Sequence, residues 1–393
     1  MTEHVVLLEH TIPPNLIDQV QARLAYLDEG IAGAMVPGDG KSVLLTLRAE
    51  SNPETSQVLE EKVRQVVREM SQGYVAPRVD TLEDYSHRIV PFSADPFPDL
   101  LERGEIIPEH TGIYSFGPMV TRLIDIFEGY FLSLAREFDA PPYRFPTLIS
   151  AEKLSQVDYF RAFPHSLTFA THLREDLDVI NEFARTADYE AGGLNAGADS
   201  FAKVQALLSP AVCYHLYFGL SEKTLPENLA ATAVGHCFRY ESSNLHSLER
   251  MWDFSMREII FVGTAEHVLE KREQARKRVE ALLGEIGLAY KVESANDPFF
   301  VGEFRKQAAF QNAFQLKYEI RANLPFKEVN LAVGSYNYHQ NFFGRSLNIS
   351  LADGSHAHTS CVAFGLERLA FAFLSQFGLD PRAWPLPIGE TFE

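Results

Sequence analysis

The sequence predicts an α+β protein with a small N-terminal domain and a larger C-terminal domain. Its 393 residues allow two or three domains, and a composition of 46% apolar and 22% charged residues is typical of a soluble globular protein. The first 75 residues alternate strand and helix patterns, and helices alternate with apolar strands from about residue 111 onward. These observations predict domains at residues 1–75 and 111–393, joined by a segment at residues 76–110.

The N-terminal domain is predicted to be a βαββα unit or a close variant of it. The apolar runs VVLLEH and SVLLTLRA predict two strands. Helices are predicted over residues 14–27 and 53–70 because apolar residues recur at helical spacing. In the first helix they are Ile17, Val20, Leu24 and Leu27, and in the second Leu59, Val63, Val66 and Met70.

Two proline-containing stretches interrupt this pattern. The stretch Pro37-Gly38-Asp39-Gly40, followed by Lys41 and Ser42, invites comparison with a phosphate-binding loop, but that motif requires glycine where Met35 stands. We interpret it as a hairpin turn. Residues 76–110 contain five prolines and are interpreted as a linker or wrap without regular structure.

Composition also bears on location and partners. No run of 18 apolar residues occurs, and the N-terminus lacks a signal-peptide pattern, so no membrane span is expected. Three cysteines provide no disulfide framework, and a cytoplasmic location is therefore expected.

Charge argues against a nucleic-acid partner. The formal net charge is −18, and residues 1–95 hold eight Lys and Arg against fifteen Asp and Glu. Proteins that bind a phosphate backbone normally present a basic face. One exception is KREQARKR at residues 271–278, which is either a solvated helix face or a dock for an acidic partner or phosphates.

Cys213, Glu258 and Cys361 are the candidate metal ligands. Two thiolates and a carboxylate suit zinc, and three protein ligands leave a fourth position open. Their separations of 45 and 103 positions form no local zinc motif, so the spacing alone favours small buried cysteines. The surrounding sequence has to decide between the two interpretations.

Three segments follow one another along the larger domain. The first is a predicted amphipathic helix over residues 119–138, followed by FPTLI with Pro146. The second is CFRYESSNLHSLERMWDF, and the third is CVAFGLERLAFAFL, with Gly365 and Glu367. In this order they resemble the first, second and third motifs of class II aminoacyl-tRNA synthetases. The resemblance implies an antiparallel sheet flanked by helices, and a homodimer formed through the first-motif helix.

The same resemblance implies an ATP site. Arg239 would contact the α-phosphate, Glu241 the adenine amino group, Arg250 the outer phosphates and Arg368 the γ-phosphate, while Phe254 would stack on the purine. Fixed guanidinium groups suit such a site because they can hold phosphate oxygens bidentately. In FKEVNLAVGSYNYHQNFFGR, Glu328 matches a magnesium-binding carboxylate. The resemblance thus assigns catalytic roles to Arg239, Glu328 and Arg368.

Within class II, the sequence most resembles the zinc-dependent branch related to seryl-tRNA synthetases. This branch comprises methanogen-type seryl-tRNA synthetases and amino acid:[carrier protein] ligases. Cys213, in LSPAVCYHLYFGL, stands where ordinary seryl enzymes carry glutamate, and Cys213, Glu258 and Cys361 match the branch's three zinc ligands. The third cysteine, Cys237, is interpreted as core. The resemblance covers residues 105–390.

The predicted function is ATP-dependent activation of a small amino acid and its transfer to the phosphopantetheine thiol of a carrier protein. Two alternatives are an atypical zinc-dependent seryl-tRNA synthetase and a non-catalytic regulatory paralogue. An acidic N-terminal region without a long coiled-coil arm argues against tRNA. A predicted helical insertion over residues 170–187 and the basic segment 271–278 are candidate docking sites for the carrier protein.

Overall fold

The computed structural model describes residues 2–48, 53–72, 74, 76, 78–190, 192–295 and 316–392. The N-terminal region is the predicted βαββα unit. Its elements are β1 (Thr2–Leu7), α1 (Ile17–Leu24), β2 (Ile31–Met35), β3 (Ser42–Leu47) and α2 (Pro53–Ser71). The antiparallel strand order is β1-β3-β2, and both helices contribute to one apolar core with the sheet.

The stretch before Lys41 is a turn between β2 and β3, as predicted. The backbone N–H of Gly40 donates to the carbonyl of Pro37 at 2.8 Å. Gly40 has a φ of 65°, a left-handed conformation that favours glycine. A side chain there would also lie 2.5 Å from the carbonyl oxygen of Ile12.

The prediction that residues 76–110 lack regular structure is wrong. This segment contains β4 (Thr81–Asp84), α3 (Phe97–Glu102) and β5 (Ile106–His110), and β5 pairs with β6 (Ile113–Phe116). Pro98 lies in the first turn of α3, where a missing N–H breaks no helical hydrogen bond. The prolines of this segment are therefore compatible with short helices and strands.

The following region begins with a long helix, as predicted, and continues through short elements. The helix α4 (Pro118–Glu137) buries seven residues, including Leu123, Phe127 and Phe131. Of the predicted strand FPTLI, only Leu148 and Ile149 lie in a strand, and Pro146 lies between two short strands. The successive elements are β7 (Pro142–Tyr143), β8 (Leu148–Ser150), α5 (Ala151–Gln156), α6 (Tyr159–Ala162) and β9 (Phe169–Ala170).

The predicted insertion at residues 170–187 contains a shorter helix, α7 (Leu177–Thr186). It begins late because the Asp176 side chain caps it, accepting hydrogen bonds from the N–H groups of Asp178 and Val179. None of its residues is buried. Next come β10 (Asp188–Glu190), β11 (Gly193–Asn195), β12 (Ala206–Leu208), α8 (Cys213–Gly219) and β13 (Thr224–Leu225).

An eight-stranded sheet contains most of the later strands. Among the described residues, these strands are β14 (Leu229–Phe238), β15 (Asp253–Gly263), β16 (Tyr290–Ser294), β17 (Lys317–Leu324), β18 (Val329–Tyr338), β19 (Ser350–Leu351) and β20 (His358–Gly365). The later helices of the described part are α9 (Ala265–Ile286), α10 (Phe342–Ser346), α11 (Leu366–Phe377) and α12 (Leu386–Phe392). The order of the eight strands is β4-β16-β17-β18-β20-β15-β14-β7, and the strand pairs are antiparallel except for β7 with β14.

The two faces of this sheet pack against different cores. Helices α4, α9 and α11 cover one face, which Ile259 and Phe261 of β15 also line. Alternate residues of β15, such as Ile260, face a second core formed with α8. Among the described residues, no helix has the length and apolar composition that crossing a bilayer requires.

Candidate metal and nucleotide site

The three candidate metal ligands meet on the second face of the sheet. Cys213 is the first residue of α8, Glu258 lies on β15 and Cys361 lies on β20. Glu258 and Cys361 project from the same face because Cys361 pairs with Ile260, two residues along the strand from Glu258. One ligand atom from each of the three residues lies within 4.8 Å of the other two.

The environment of this cluster fits a metal ion. All three residues are buried, and the described part of the chain offers no hydrogen-bond partner to Oε2 of Glu258. Its other oxygen, Oε1, accepts the N–H of Val212 at 3.0 Å. Buried carboxylates are normally paired or bound to a metal, so an unpartnered carboxylate oxygen in a residue that clusters with two cysteines indicates a cation position. Two sulfurs and an oxygen are suitable ligands for zinc.

The pKa values of the three clustered side chains are shifted in different directions. Burial raises the pKa of Glu258 to about 8, and the negative charge of Cys361 adds to this effect. The Cys213 thiol donates to Cys361, which holds the pKa of Cys361 well below its usual range and that of Cys213 well above it. A metal must therefore displace protons from this cluster when it binds.

Several neighbours of the cluster were not predicted from the sequence. Asn337 Nδ2 donates to Cys361 Sγ at 3.4 Å and to Ser335 Oγ at 2.9 Å. Tyr217 is fully buried on α8, and its ring lies 5.9 Å from that of His339. Asn337 pairs directly with Cys361 across the two strands. Asn337 could have been predicted as a neighbour of Cys361 only if the pairing register of the two strands had been known.

The candidate ATP residues of the second and third motifs also converge. Arg250 and Glu241 form an ion pair, and the guanidinium of Arg239 lies 5.5 Å from the centre of the Phe254 ring. Burial by itself would raise the pKa of Glu241, but the charges of Arg250, Arg368 and Arg239 outweigh it and lower this pKa. The four charged groups therefore share one electrostatic environment.

Arg239 and Arg368 each donate a hydrogen bond to a backbone carbonyl. Arg239 Nε donates to the carbonyl of Pro210 at 3.1 Å, and Arg368 Nη1 donates to that of Ala332 at 3.3 Å. Pro210 lies three residues before Cys213. The loop that leads to a candidate metal ligand is therefore bonded directly to the candidate α-phosphate ligand.

Glu328 is placed apart from this group. It is exposed, with a φ of 54°, in the turn between β17 and β18. Its neighbour Lys327 donates to Oε1 of Glu249 at 2.5 Å. Glu319 was not predicted as a site residue; it pairs with Lys317 at 3.3 Å, and its charge acts on Arg368. The magnesium role of Glu328 stays a prediction.

The basic segment 271–278 is largely engaged within the protein. Arg276 pairs with Glu83, Glu273 and Glu280, and Arg278 pairs with Glu137. The guanidinium of Arg272 lies 5.7 Å from the centre of the Tyr318 ring. These contacts favour a structural role for the segment over a dock for an acidic partner.

Comparison with known proteins identifies the family. Residues 208–377 match the tRNA synthetase class II core domain (G, H, P, S and T). The chain is 33% identical over 300 residues to amino acid–[acyl-carrier-protein] ligase 1 of Bradyrhizobium diazoefficiens, covering 76% of this chain and 90% of that protein. This chain belongs to the amino acid–[acyl-carrier-protein] ligase family. Ligase 2 of the same organism is 34% identical over 259 residues, covering 65% of this chain and 76% of the relative.

The ligase family shares its class II fold with seryl-tRNA synthetases. The type-2 serine–tRNA ligase of Methanopyrus kandleri is 26% identical over 72% of this chain, which spans 56% of that protein. A structure of M. kandleri SerRS with A. aeolicus tRNASec has a TM-score of 0.72 at 21% identity, covering 99% of this chain and 77% of that chain. This likeness in fold therefore extends into the N-terminal unit, which lies outside the predicted resemblance.

Proposed function

We propose that this ligase activates a small amino acid with ATP and passes it to the phosphopantetheine thiol of a carrier protein. One observation carries the proposal. The buried Cys213–Glu258–Cys361 cluster and the arginine-rich ATP site are joined through the 3.1 Å bond from Arg239 to Pro210. An amino acid held at the cluster would have its carboxylate directed toward ATP.

The cluster fits zinc, held by Cys213, Glu258 and Cys361. Three protein ligands leave one position open, and a bound zinc would supply a Lewis acid there for the substrate α-amino group. Selectivity for a small amino acid would come from the space that buried neighbours such as Tyr217 leave beside the cluster. A methyl or hydroxyl difference in such a pocket is worth only ~1–3 kcal/mol unless buried polar groups recognise it.

The first step is adenylation. A carboxylate oxygen of the amino acid attacks the α-phosphorus, the bond from that phosphorus to the bridging oxygen breaks, and pyrophosphate leaves. Arg239 would hold the charge that develops on the α-phosphate, and Arg368 the charge of the γ-phosphate. The substrate carboxylate is already ionised, so no general base is needed. The resemblance assigns to Glu328 a magnesium ion that would bind phosphate oxygens, but the exposed position of Glu328 in the turn between β17 and β18, apart from the arginines, does not by itself support that role.

The second step is thioester formation. The sulfur of the acceptor thiol attacks the carbonyl carbon of the adenylate, the bond to the phosphate oxygen breaks, and AMP leaves while the thiol proton passes to solvent. Both ligases of B. diazoefficiens are named for a carrier-protein acceptor, which supports this assignment. The chain's net charge of −18 would repel an acidic carrier, so docking requires apolar contacts. Helix α7 exposes 71% of Leu177 and 42% of Ile180 and remains the predicted docking element.

A seryl-tRNA synthetase activity is the second candidate. The fold match to M. kandleri SerRS over 99% of this chain favours it. The acidic N-terminal region opposes it, because tRNA binding depends on releasing counterions to basic side chains. We also propose a homodimer formed through α4, which light scattering can test.

The test is amino-acid-dependent ATP–pyrophosphate exchange over the twenty standard amino acids and small non-standard ones, with zinc measured on the same sample. We expect exchange with a small amino acid and about one zinc per chain. Transfer is then measured to phosphopantetheinylated carrier protein, to unmodified carrier and to bulk tRNA. Transfer to the modified carrier alone supports the ligase, whereas charging of tRNA supports the synthetase. Absence of both exchange and zinc would indicate the regulatory paralogue.

A further inference from the structure

The N-terminal unit contacts the loop between β14 and β15, which carries Glu241 and Arg250. Among the described residues, three side-chain hydrogen bonds to backbone carbonyls join the two, and we call these three bonds the loop clamp. Tyr26 Oη donates to the carbonyl of Tyr240 at 2.9 Å. Ser242 Oγ donates to the carbonyl of Ala25 at 3.0 Å, and Asn244 Nδ2 donates to that of Ala22 at 3.2 Å.

The clamp uses groups that a helix end leaves available. Helix α1 ends at Leu24, and the carbonyls of a last helical turn have no helical N–H partner. Ala22 lies in that turn and Ala25 is the C-cap residue. The loop side chains thus supply donors to the end of α1, while Tyr26 donates in the opposite direction.

The clamp surrounds the candidate adenine ligand. Its loop residues Tyr240 and Ser242 flank Glu241 directly. The N–H of Tyr240 donates to the carbonyl of Ser166 at 3.1 Å, so this peptide segment is held from the C-terminal region as well as by Tyr26. Ser242 has a φ of 53°, a conformation that non-glycine residues rarely adopt without support.

Tyr26 is suited to act as the donor in this contact. Burial raises the pKa of its phenol, and the nearby charge of Glu241 raises it further, so the hydroxyl stays protonated. Its ring packs edge-on against the ring of His165, with centroids 5.3 Å apart. The ring is therefore fixed independently of the hydroxyl, and Tyr26→Phe removes the hydrogen bond while keeping the packing.

We propose that Tyr26 is a positioning residue of the adenylation site, through which the N-terminal unit holds the loop of Glu241 and Arg250 in the conformation that receives ATP. This inference rests on the proposed function. It gives the N-terminal unit a role within the reaction that needs no contact with the acceptor.

The test compares Tyr26→Phe with Tyr74→Phe. Tyr74 is a matched control because its hydroxyl donates to the carbonyl of Asn15 at 3.4 Å, within the N-terminal unit. In Tyr26→Phe we expect the KM for ATP to rise about fivefold, the effect of one net hydrogen bond, with kcat and the amino-acid KM within about twofold of wild type. Ser242→Ala, which breaks the clamp from the loop side, should raise the ATP KM similarly.

Amide hydrogen exchange and calorimetric ATP binding provide readouts that do not depend on turnover. Exchange of residues 240–250 should be faster in Tyr26→Phe than in wild type and Tyr74→Phe, and ATP binding should weaken by the same factor as the KM. Equal amide exchange rates and equal ATP affinities in the two Tyr variants would overturn the inference. Faster amide exchange of residues 240–250 in Tyr26→Phe with unchanged ATP affinity would overturn it as well. If wild type binds ATP but activates no amino acid, the proposed function fails while these two measurements still decide the clamp.

Discussion

The backbone N–H of Val212 donates to Oε1 of Glu258 at 3.0 Å, and this bond joins the start of α8 to the central strand β15. It fixes one carboxylate oxygen of Glu258, and the other, Oε2, has no hydrogen-bond partner among the described residues. The carboxylate is thereby oriented before any metal binds. Cys213 directly follows Val212, so the same bond also positions a second ligand.

Replacing Glu258 with Gln should keep the orientation of this side chain but remove its negative charge. The amide oxygen can still accept the Val212 N–H, but the side chain loses the negative charge that a zinc ligand supplies. We expect zinc content to fall well below that of wild type while the folded structure is kept, measured by metal analysis and circular dichroism. A Gln variant that retains full zinc would show that Glu258 is not a ligand.

Cys361→Ala should release zinc and abolish amino-acid-dependent pyrophosphate exchange. The control is Cys237→Ala, because Cys237 is equally buried but lies outside the ligand cluster. That control should keep about one zinc per chain and most of its exchange activity. An active, zinc-free Cys361→Ala protein would refute the proposed site.

Arg239→Ala should lower the kcat of exchange by roughly 10²–10³-fold, the effect of losing one fixed donor to developing charge. Arg239→Lys should recover only part of this activity, because an ammonium lacks the planar fork of a guanidinium. Arg382→Ala, which removes an exposed arginine, is the control. Arg239 also bonds to Pro210, so zinc is measured in parallel. Loss of zinc in Arg239→Ala would assign the effect to the metal loop instead of the phosphate.

Glu249 should make the free energy of unfolding depend on pH in the acidic range. Burial would raise its pKa, but hydrogen bonds from His246 and Lys327 outweigh burial and lower the pKa to about 2. A carboxylate with a lowered folded pKa stabilises the protein above its unfolded pKa, and that stability is lost as pH falls toward the folded value. Glu249→Gln should therefore destabilise by about 2 kcal/mol near neutral pH and progressively less below about pH 4.5. Urea unfolding across this range measures the difference, and a pH-independent difference would contradict the assignment.

Arg276→Ala should destabilise the fold by about 3 kcal/mol, because it leaves the buried carboxylate of Glu83 without its cation. Adding Glu83→Gln should recover part of the loss. Arg278 pairs with Glu137 at an exposed position, so Arg278→Ala should melt close to wild type. Thermal unfolding provides the comparison. Equal melting of the two single variants would show that the segment is a solvated face.

The general fold, the candidate metal ligands and the candidate ATP residues could all be predicted from the sequence. Helix α4 was predictable because its apolar residues recur at helical spacing. The motif resemblance named Cys213, Glu258 and Cys361, and the structure brings their ligand atoms within 4.8 Å. Class II membership and the carrier-protein ligase family were likewise predicted and are confirmed by the relatives.

Contacts between segments that are distant in the sequence became visible only in the folded structure. Strand β4 lies in a proline-containing segment, yet it pairs with β16, more than 200 residues away. Arg276 belongs to a basic run, but it forms an ion pair with Glu83, which lies 193 residues away in the sequence. The bond from Tyr26 to Tyr240 joins two regions whose local patterns predict no contact. Local periodicity reports which face of an element is apolar, whereas pairing partners depend on the register and packing of the whole chain.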